Sequence, residues 1–317
     1  MVRAVDGISF HVDRGETVGI VGESGSGKSI SALSVLRLVP DPGRITGGHV
    51  WFGEPGKEKD VVTMTDEEIR DFRGNDVAMI FQDPMTSMNP VLKVGFQVEE
   101  AMDAHRRFTR KQARDRVVPM LRKVRIPAPE QRAKNYPHQF SGGMRQRGMI
   151  AMGLSNEPSL ILADEPTTAL DVTVQAQMIE LLRDLNRDMG AAIVLITHNL
   201  AVVASLCTRV IVMYAGRIVE EGSTRQIFKN PQHPYTWSLL RSIPRIDSQR
   251  HDKLISISGM PPDMSNPPPG CKFHPRCPFR VEQCSQEEPE LIEVGPGQQS
   301  RCWVQMANVA DPEAVIR

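Results

Sequence analysis

No apolar run in this chain approaches the about 20 residues that a helix needs to cross a bilayer. Met1 leads into Val-Arg-Ala-Val-Asp, not into the apolar core of a secretory signal. The chain is therefore expected to stay in the cytosol and to work at a membrane only through a partner. Net charge is also lacking. The 38 basic and 38 acidic residues cancel, so no global field for polyanions arises. There is no internal repeat, no low-complexity segment and no tight C-x₂₋₄-C knuckle. With 24% charged residues, disorder is not indicated, and 317 residues can bury a sizeable core.

What is present is organised around Gly22-Glu23-Ser24-Gly25-Ser26-Gly27-Lys28-Ser29, which fits G-x-x-x-x-G-K-[ST] at every fixed position. Gly22, Gly25 and Gly27 let the backbone turn its N–H groups inward as a nest for anionic oxygens, with Ser24 and Ser26 between them. Lys28 supplies a cation for the outer phosphates, and Ser29 a hydroxyl for Mg²⁺. Thr17 to Val21 reads as a buried strand leading in. Ile30, Leu33, Val35, Leu36 and Leu38 read as the packed side of a helix leading out, with its positive end toward the phosphates.

Elsewhere the chain alternates short apolar strands with helical stretches, an α/β pattern. Residues 2–12 read as extended and Gly48 to Phe52 as a strand. Thr65…Glu68 and Thr109…Gln112 read as capping boxes, and Pro119 as a kink. Val77 to Phe81 is a strand ending on Gln82. Leu160 to Ala163 is a strand ending on Asp164-Glu165, and Ala192 to Ile196 one followed by Thr197-His198. Asp171 caps a helix with the apolar stripe Val174, Met178, Leu181, Leu182 and Leu185. A hairpin is expected around Ala215-Gly216. Residues His105 to Lys134 are rich in basic side chains. Both a nucleic-acid surface and a solvated helix face fit such a stretch, and the lack of interleaved aromatics favours the solvated face.

Four strands thus end on a functional group: the phosphate loop, Gln82, Asp164-Glu165 and His198. In an open parallel α/β sheet, ligands bind beyond the carboxyl ends of the strands. Asp164 suits the water shell of Mg²⁺. Glu165 suits the orientation or deprotonation of an attacking water. Gln82 can hydrogen-bond both water and the metal shell, and His198 can contact a terminal phosphate. Singly, each is also an ordinary polar cap or surface turn; their order and shared placement weigh against that. Ser141-Gly142-Gly143 opens a further helix, a second N-terminus suited to anions.

On these residues the chain resembles the nucleotide-binding subunits of ABC transporters. The likeness covers roughly residues 1–230, with a helical subdomain at about 90–157. It makes Gly22–Ser29 the Walker A loop, Gln82 the Q-loop glutamine and Phe140-Ser141-Gly142-Gly143-Met144 the signature. Leu160–Asp164 becomes Walker B, Glu165 the catalytic carboxylate, Thr168–Asp171 the D-loop and His198 the switch histidine. The resemblance implies ATP and Mg²⁺ as ligands, with Ser29, Gln82 and Asp164 toward the metal. It also implies that Ser141, Gly142 and Gly143 close over ATP on a partner cassette. Members usually carry an aromatic residue on adenine upstream of the first strands. None precedes Phe10 here, so either the true protein starts earlier or adenine is held differently.

The spacing from Ser29 to Ser141 leaves no room for the long coiled coil of chromosome and repair ATPases. Each motif occurs once, unlike the tandem cassettes of translation factors. The tail, Asn230-Pro231-Gln232-His233-Pro234-Tyr235-Thr236 with Leu239-Leu240 and Ile243-Pro244, resembles the extension of oligopeptide and dipeptide importer ATPases. Met85 to Pro90 fits the same subfamily, and a nickel importer ATPase is the alternative. The implied partners are two membrane-spanning permeases, a second, paralogous ATPase and an extracytoplasmic peptide-binding protein, without nucleic acid. The implied place is the cytoplasmic face of the inner membrane.

Five cysteines complete the inventory. Cys207 reads as a buried thiol. Cys271, Cys277, Cys284 and Cys302 lie in the 231–317 extension, expected to be small and irregular, at spacings C-x5-C, C-x6-C and C-x17-C. A reducing compartment argues against disulfides. Zinc, with His274 as a substitute ligand, and plain thiols both remain open. Resemblance to cysteine-bearing tails of peptide importer ATPases implies a [4Fe–4S] cluster on the four thiols.

Overall fold

The elements follow from local pattern. In chain order they are β1 (Thr17–Val21), α1 (Lys28–Val35), β2 (Trp51–Phe52), β3 (Lys59–Asp60), α2 (Asp66–Asn75), β4 (Val77–Ile80), α3 (Val94–Asp103), α4 (Arg110–Lys123), α5 (Gly142–Leu154), β5 (Leu160–Asp164), α6 (Val172–Met189), β6 (Ala192–Thr197), α7 (Leu200–Leu206), β7 (Arg209–Tyr214), β8 (Arg217–Ser223), α8 (Thr224–Lys229), α9 (Pro234–Arg241), β9 (Ile292–Gly295) and β10 (Gln298–Ser300). The computed structural model describes residues 2–83, 87–105, 108–168, 171–242 and 257–312. Two compact units emerge. One comprises residues 1–11, 18–31 and 196–317, the other residues 12–17 and 32–195.

In the first unit, β1, β7, β8, β10 and β9 are hydrogen-bonded in that order. β1 runs parallel to β7, with Ile20 opposite Ile211. Every residue of β1 is buried, as expected of a continuous apolar run in a parallel pair. β7 and β8 form the expected hairpin. Its turn residues Ala215 and Gly216 have φ of 47° and 77°, the positive pair that a tight turn matched to strand twist requires. The tail is not wholly irregular: β10 pairs antiparallel to β8 and β9 to β10. The pairing of β10 with β8 joins residues far apart in sequence and leaves no local period to read, whereas β9 and β10 form a local hairpin across Pro296 and Gly297.

The tail is held by aromatic packing. Tyr214, Tyr235 and Phe273 are each at most 2% exposed. Their ring centroids lie 4.7 to 5.4 Å apart in tilted and edge-on arrangements. Trp237, Phe279 and Met306 form a second cluster, against which Cys277 packs. Buried Glu220 is held by hydrogen bonds: it accepts from Gln232 N (2.7 Å), His233 N (2.9 Å) and Gln298 Nε2 (2.9 Å). These bonds satisfy a carboxylate that would otherwise be costly to bury.

In the second unit, β4, β5 and β6 are neighbours in that order, and β4 runs parallel to β5 with Ile80 opposite Ala163. Both expected capping boxes form, at Thr65–Glu68 and Thr109–Gln112, each contributing about 1 kcal/mol by satisfying orphan backbone donors. α4 runs through Pro119. In α6, Met178, Leu181, Leu182 and Leu185 are buried as the periodicity predicts, and Gly190 at φ 64° ends the helix.

Three local expectations change. The strand expected over Gly48–Phe52 shrinks to Trp51–Phe52, because only those residues pair with Lys59–Asp60. Residues 2–12 form no strand. Leu38, expected on a packed helix face, is exposed, since α1 ends at Val35 and Arg37 turns to φ 51°. Among the described residues, no helix is long and apolar enough to cross a membrane.

Candidate functional site

In the first unit, β1 delivers the chain into Gly22–Ser29, and α1 starts at Lys28. Gly22, Gly25 and Gly27 all have positive φ (155°, 77° and 99°). Two of them also need the missing side chain. A Cβ on Gly22 would meet Met213 O at 2.2 Å, and one on Gly27 would meet Ala4 O at 2.4 Å. The loop is thus a backbone shape that only glycine permits. Lys28 is buried, and its Nζ donates to Gly22 O and Glu23 O at 2.8 Å each and to Ser26 Oγ at 3.4 Å. The ammonium therefore stands folded over the loop's own carbonyls. His198, exposed, follows β6, whose six residues are all buried.

In the second unit, the parallel pairing of β4 and β5 sets Gln82 and Asp164-Glu165 at the same strand ends. Gln82 Nε2 donates to Glu165 Oε2 at 3.3 Å, and Thr168 Oγ1 donates to the same oxygen at 2.8 Å. Asp164 is buried at the end of β5. Glu165 has φ 47°, a left-handed conformation costly for a residue with a Cβ and concentrated at functional sites. Ser141 caps α5 by accepting from Met144 N at 3.3 Å, and Gly142 and Gly143 form its first turn. Ser141 and Gly142 are exposed, so amides at this helix start face outward. Asp171 Oδ1 accepts from Val174 N at 2.9 Å as the N-cap of α6. Of the expected D-loop, Ala169 and Leu170 lie outside the described residues, as do Met85 and Thr86 after Gln82, and Ile243-Pro244 in the tail.

The four tail cysteines are free thiols. Burial pushes the Cys277 thiol up to about 12 and raises those of Cys271 and Cys302. Backbone N–H groups two residues onward face three of the sulfurs: Phe273 at Cys271, Phe279 at Cys277 and Val304 at Cys302. Amides directed at sulfur suit thiolates that ligate a metal centre. Among the described residues, however, no group of three His, Cys, Asp or Glu side chains stands ready to hold a single metal ion.

Sequence reasoning passed over three residues. Glu23 is one of the unspecified positions of the loop motif. Its N–H donates to Tyr235 Oη at 2.8 Å, and its carboxylate pairs with Arg276. Tyr235 stood within a motif read only as a mark of kinship. Arg276 carried no signal beyond its place beside Cys277.

Comparison with known proteins assigns the family. The ABC transporter family model matches residues 5–168. The chain belongs to the ABC transporter family. Residues 219–284 match the C-terminal region of oligopeptide/dipeptide transporters. The oligopeptide transport ATP-binding protein OppD of Bacillus subtilis is 46% identical over 99% of this chain and 88% of its own length. The dipeptide transport ATP-binding protein DppD of Haemophilus influenzae is 50% identical over 92% and 87%. A solved dimeric ATP-binding cassette, in a post-hydrolysis state with ADP and phosphate, shares 29% identity at a TM-score of 0.61 over 70% of this chain and 91% of that one. The fold is that of an ABC ATPase, and the chain is an ATP-binding, ATP-hydrolysing subunit of that family.

Proposed function

We propose that this ABC ATPase powers uptake of di- or oligopeptides. The observation that carries the proposal is the tail: residues 219–284 match the oligopeptide/dipeptide transporter C-terminal region, and relatives aligned along nearly the whole chain are named for peptide transport. The chain divides at about residue 230 into the ATPase domain, with its helical subdomain at about 90–157, and the extension. It works on the cytoplasmic face of the inner membrane, bound to two permeases and a paralogous ATPase, and receives peptides through an extracytoplasmic binding protein.

In this proposal, Gly22 to Ser29 wrap the phosphates of ATP, and Lys28 leaves its loop carbonyls for the outer phosphates. Ser29, Asp164 and Gln82 hold the Mg²⁺ shell, which supplies charge neutralisation at the phosphates. Glu165 orients the attacking water and takes its proton, and His198 contacts the terminal phosphate. Ser141, Gly142 and Gly143 close over the nucleotide of the second ATPase, with Asp171 at that junction. The hydrogen bond from Gln82 to Glu165 supports a shared role for the two side chains.

Cys271, Cys277, Cys284 and Cys302 hold a [4Fe–4S] cluster in the same proposal. When bound, such a centre cross-links a small, weakly cored segment and can respond to redox state. The amides at Cys271, Cys277 and Cys302 would stabilise the ligating thiolates. The whole proposal is tested by the substrate class that the assembled transporter carries in sealed vesicles: peptide uptake supports it, and nickel uptake without peptide uptake overturns it.

A further inference from the structure

Glu23 brings a carboxylate into a loop built to receive phosphates. An uncompensated negative charge on this loop would disfavour a bound triphosphate. The structure compensates it from far along the chain. Arg276 Nη1 donates to Glu23 Oε2 at 2.6 Å and Arg276 Nη2 to Glu23 Oε1 at 3.0 Å, a bidentate fork. The guanidinium is only 5% exposed, and Glu23 is 26% exposed. Screening by solvent and salt is therefore weak compared with a surface pair.

Arg276 is itself fixed. Its Nε donates to Ser258 O at 3.0 Å, and Nη1 also reaches Tyr214 Oη at 3.2 Å. Glu23 is held at two further points, its N–H on Tyr235 Oη at 2.8 Å and its carbonyl under Lys28 Nζ at 2.8 Å. Tyr214 and Tyr235 pack on Phe273, three residues before Arg276. One residue of the phosphate loop is thus tied by side chain and backbone to the cysteine-bearing tail, and by its carbonyl to the loop's lysine.

We propose that Arg276 and Tyr235 are positioning residues of the phosphate loop, with Arg276 neutralising Glu23 so that nucleotide affinity depends on the C-terminal extension. The proposal rests on the loop being the nucleotide site. It makes the extension part of the ATP site rather than an appendage to it. Arg276 precedes Cys277 directly, so a change that reshapes the cysteine segment has a direct route to the loop through this fork.

The experiment measures Mg-ATP affinity by calorimetry on the full chain, in wild type, Arg276→Gln, Glu23→Gln and the double variant. Removing Arg276 alone leaves the Glu23 carboxylate uncompensated within the loop, and affinity should fall about 10-fold. Removing Glu23 as well takes away the repulsion, so the double variant should recover most of that loss. A merely structural role predicts no such recovery. Raising salt should narrow the gap between Arg276→Gln and wild type. Affinity of folded Arg276→Gln within twofold of wild type overturns the proposal, as does a double variant no better than Arg276→Gln. If Arg276→Gln does not fold, Tyr235→Phe replaces it, and unchanged affinity there overturns the backbone half of the proposal. Wild-type chain that fails to bind Mg-ATP at all overturns the nucleotide-site reading and this proposal together, whereas intact wild-type binding with indifferent variants overturns this proposal alone.

Discussion

Gln82 and Glu165 are 83 positions apart in sequence and share a hydrogen bond of 3.3 Å, from Gln82 Nε2 to Glu165 Oε2. The parallel register of β4 and β5 brings them together, and Thr168 Oγ1 donates to the same carboxylate oxygen at 2.8 Å. Glu165 thereby keeps one oriented oxygen while its backbone sits in a left-handed turn.

Glu165→Gln preserves size and hydrogen bonding but removes the base. Steady-state ATP hydrolysis should fall by about 10²- to 10⁴-fold, the usual range for a positioned general base. Mg-ATP binding should persist, because Lys28, Ser29 and Asp164 are untouched. Paired phosphate-release and nucleotide-binding assays check this, and turnover within a few-fold of wild type would remove Glu165 from the base role.

Much of this was legible in the sequence, because glycines, strand-end residues and caps act locally. Gly22, Gly25 and Gly27 announce positive φ by their type. The apolar run Leu160 to Ala163 places Asp164 and Glu165 at a strand end. Thr65 and Thr109 announce their helices through glutamate and glutamine three residues on. What was not legible depends on long-range pairing. Nothing local says that Arg276 will meet Glu23 or that Gln299 will lie opposite Glu221 in a sheet. The left-handed turn at Glu165 also leaves no trace in residue type, since the chemistry there overrides conformational preference.

Acid should loosen the first unit through His233. Burial pushes this imidazole down to about 3, and Nδ1 accepts from Tyr235 N at 3.0 Å, which requires that nitrogen to be unprotonated. The unfolded chain binds a proton near pH 6.5 and the folded chain does not. Stability is therefore full above about 6.5 and declines by up to about 1.4 kcal/mol per pH unit toward pH 3. Glu220, whose carboxyl is raised by burial, works in the opposite sense and favours the fold as pH drops through its own range. His233→Asn keeps an acceptor for Tyr235 without the titration. The stability difference between pH 7 and pH 5, from urea midpoints, should shrink by about 2 kcal/mol in that variant. An unchanged difference would mean that His233 does not carry the acid sensitivity.

The cysteines give a prediction by metal content. Protein purified without oxygen should carry iron and sulfide and absorb near 400 nm, as thiolate-bound clusters do. Cys271→Ser should lose both. Stoichiometric zinc without iron would replace the cluster with a zinc site, and metal-free wild type would leave four plain thiols.

The central claim is met most directly by transport. The chain is assembled with its permeases and second ATPase in sealed vesicles, with ATP on the cassette side and labelled di- and oligopeptides with the binding protein on the other. Peptide should accumulate on the ATP side with Mg-ATP, and not with ADP or with the Glu165→Gln chain. ATP hydrolysis without any movement of peptide would contradict the account.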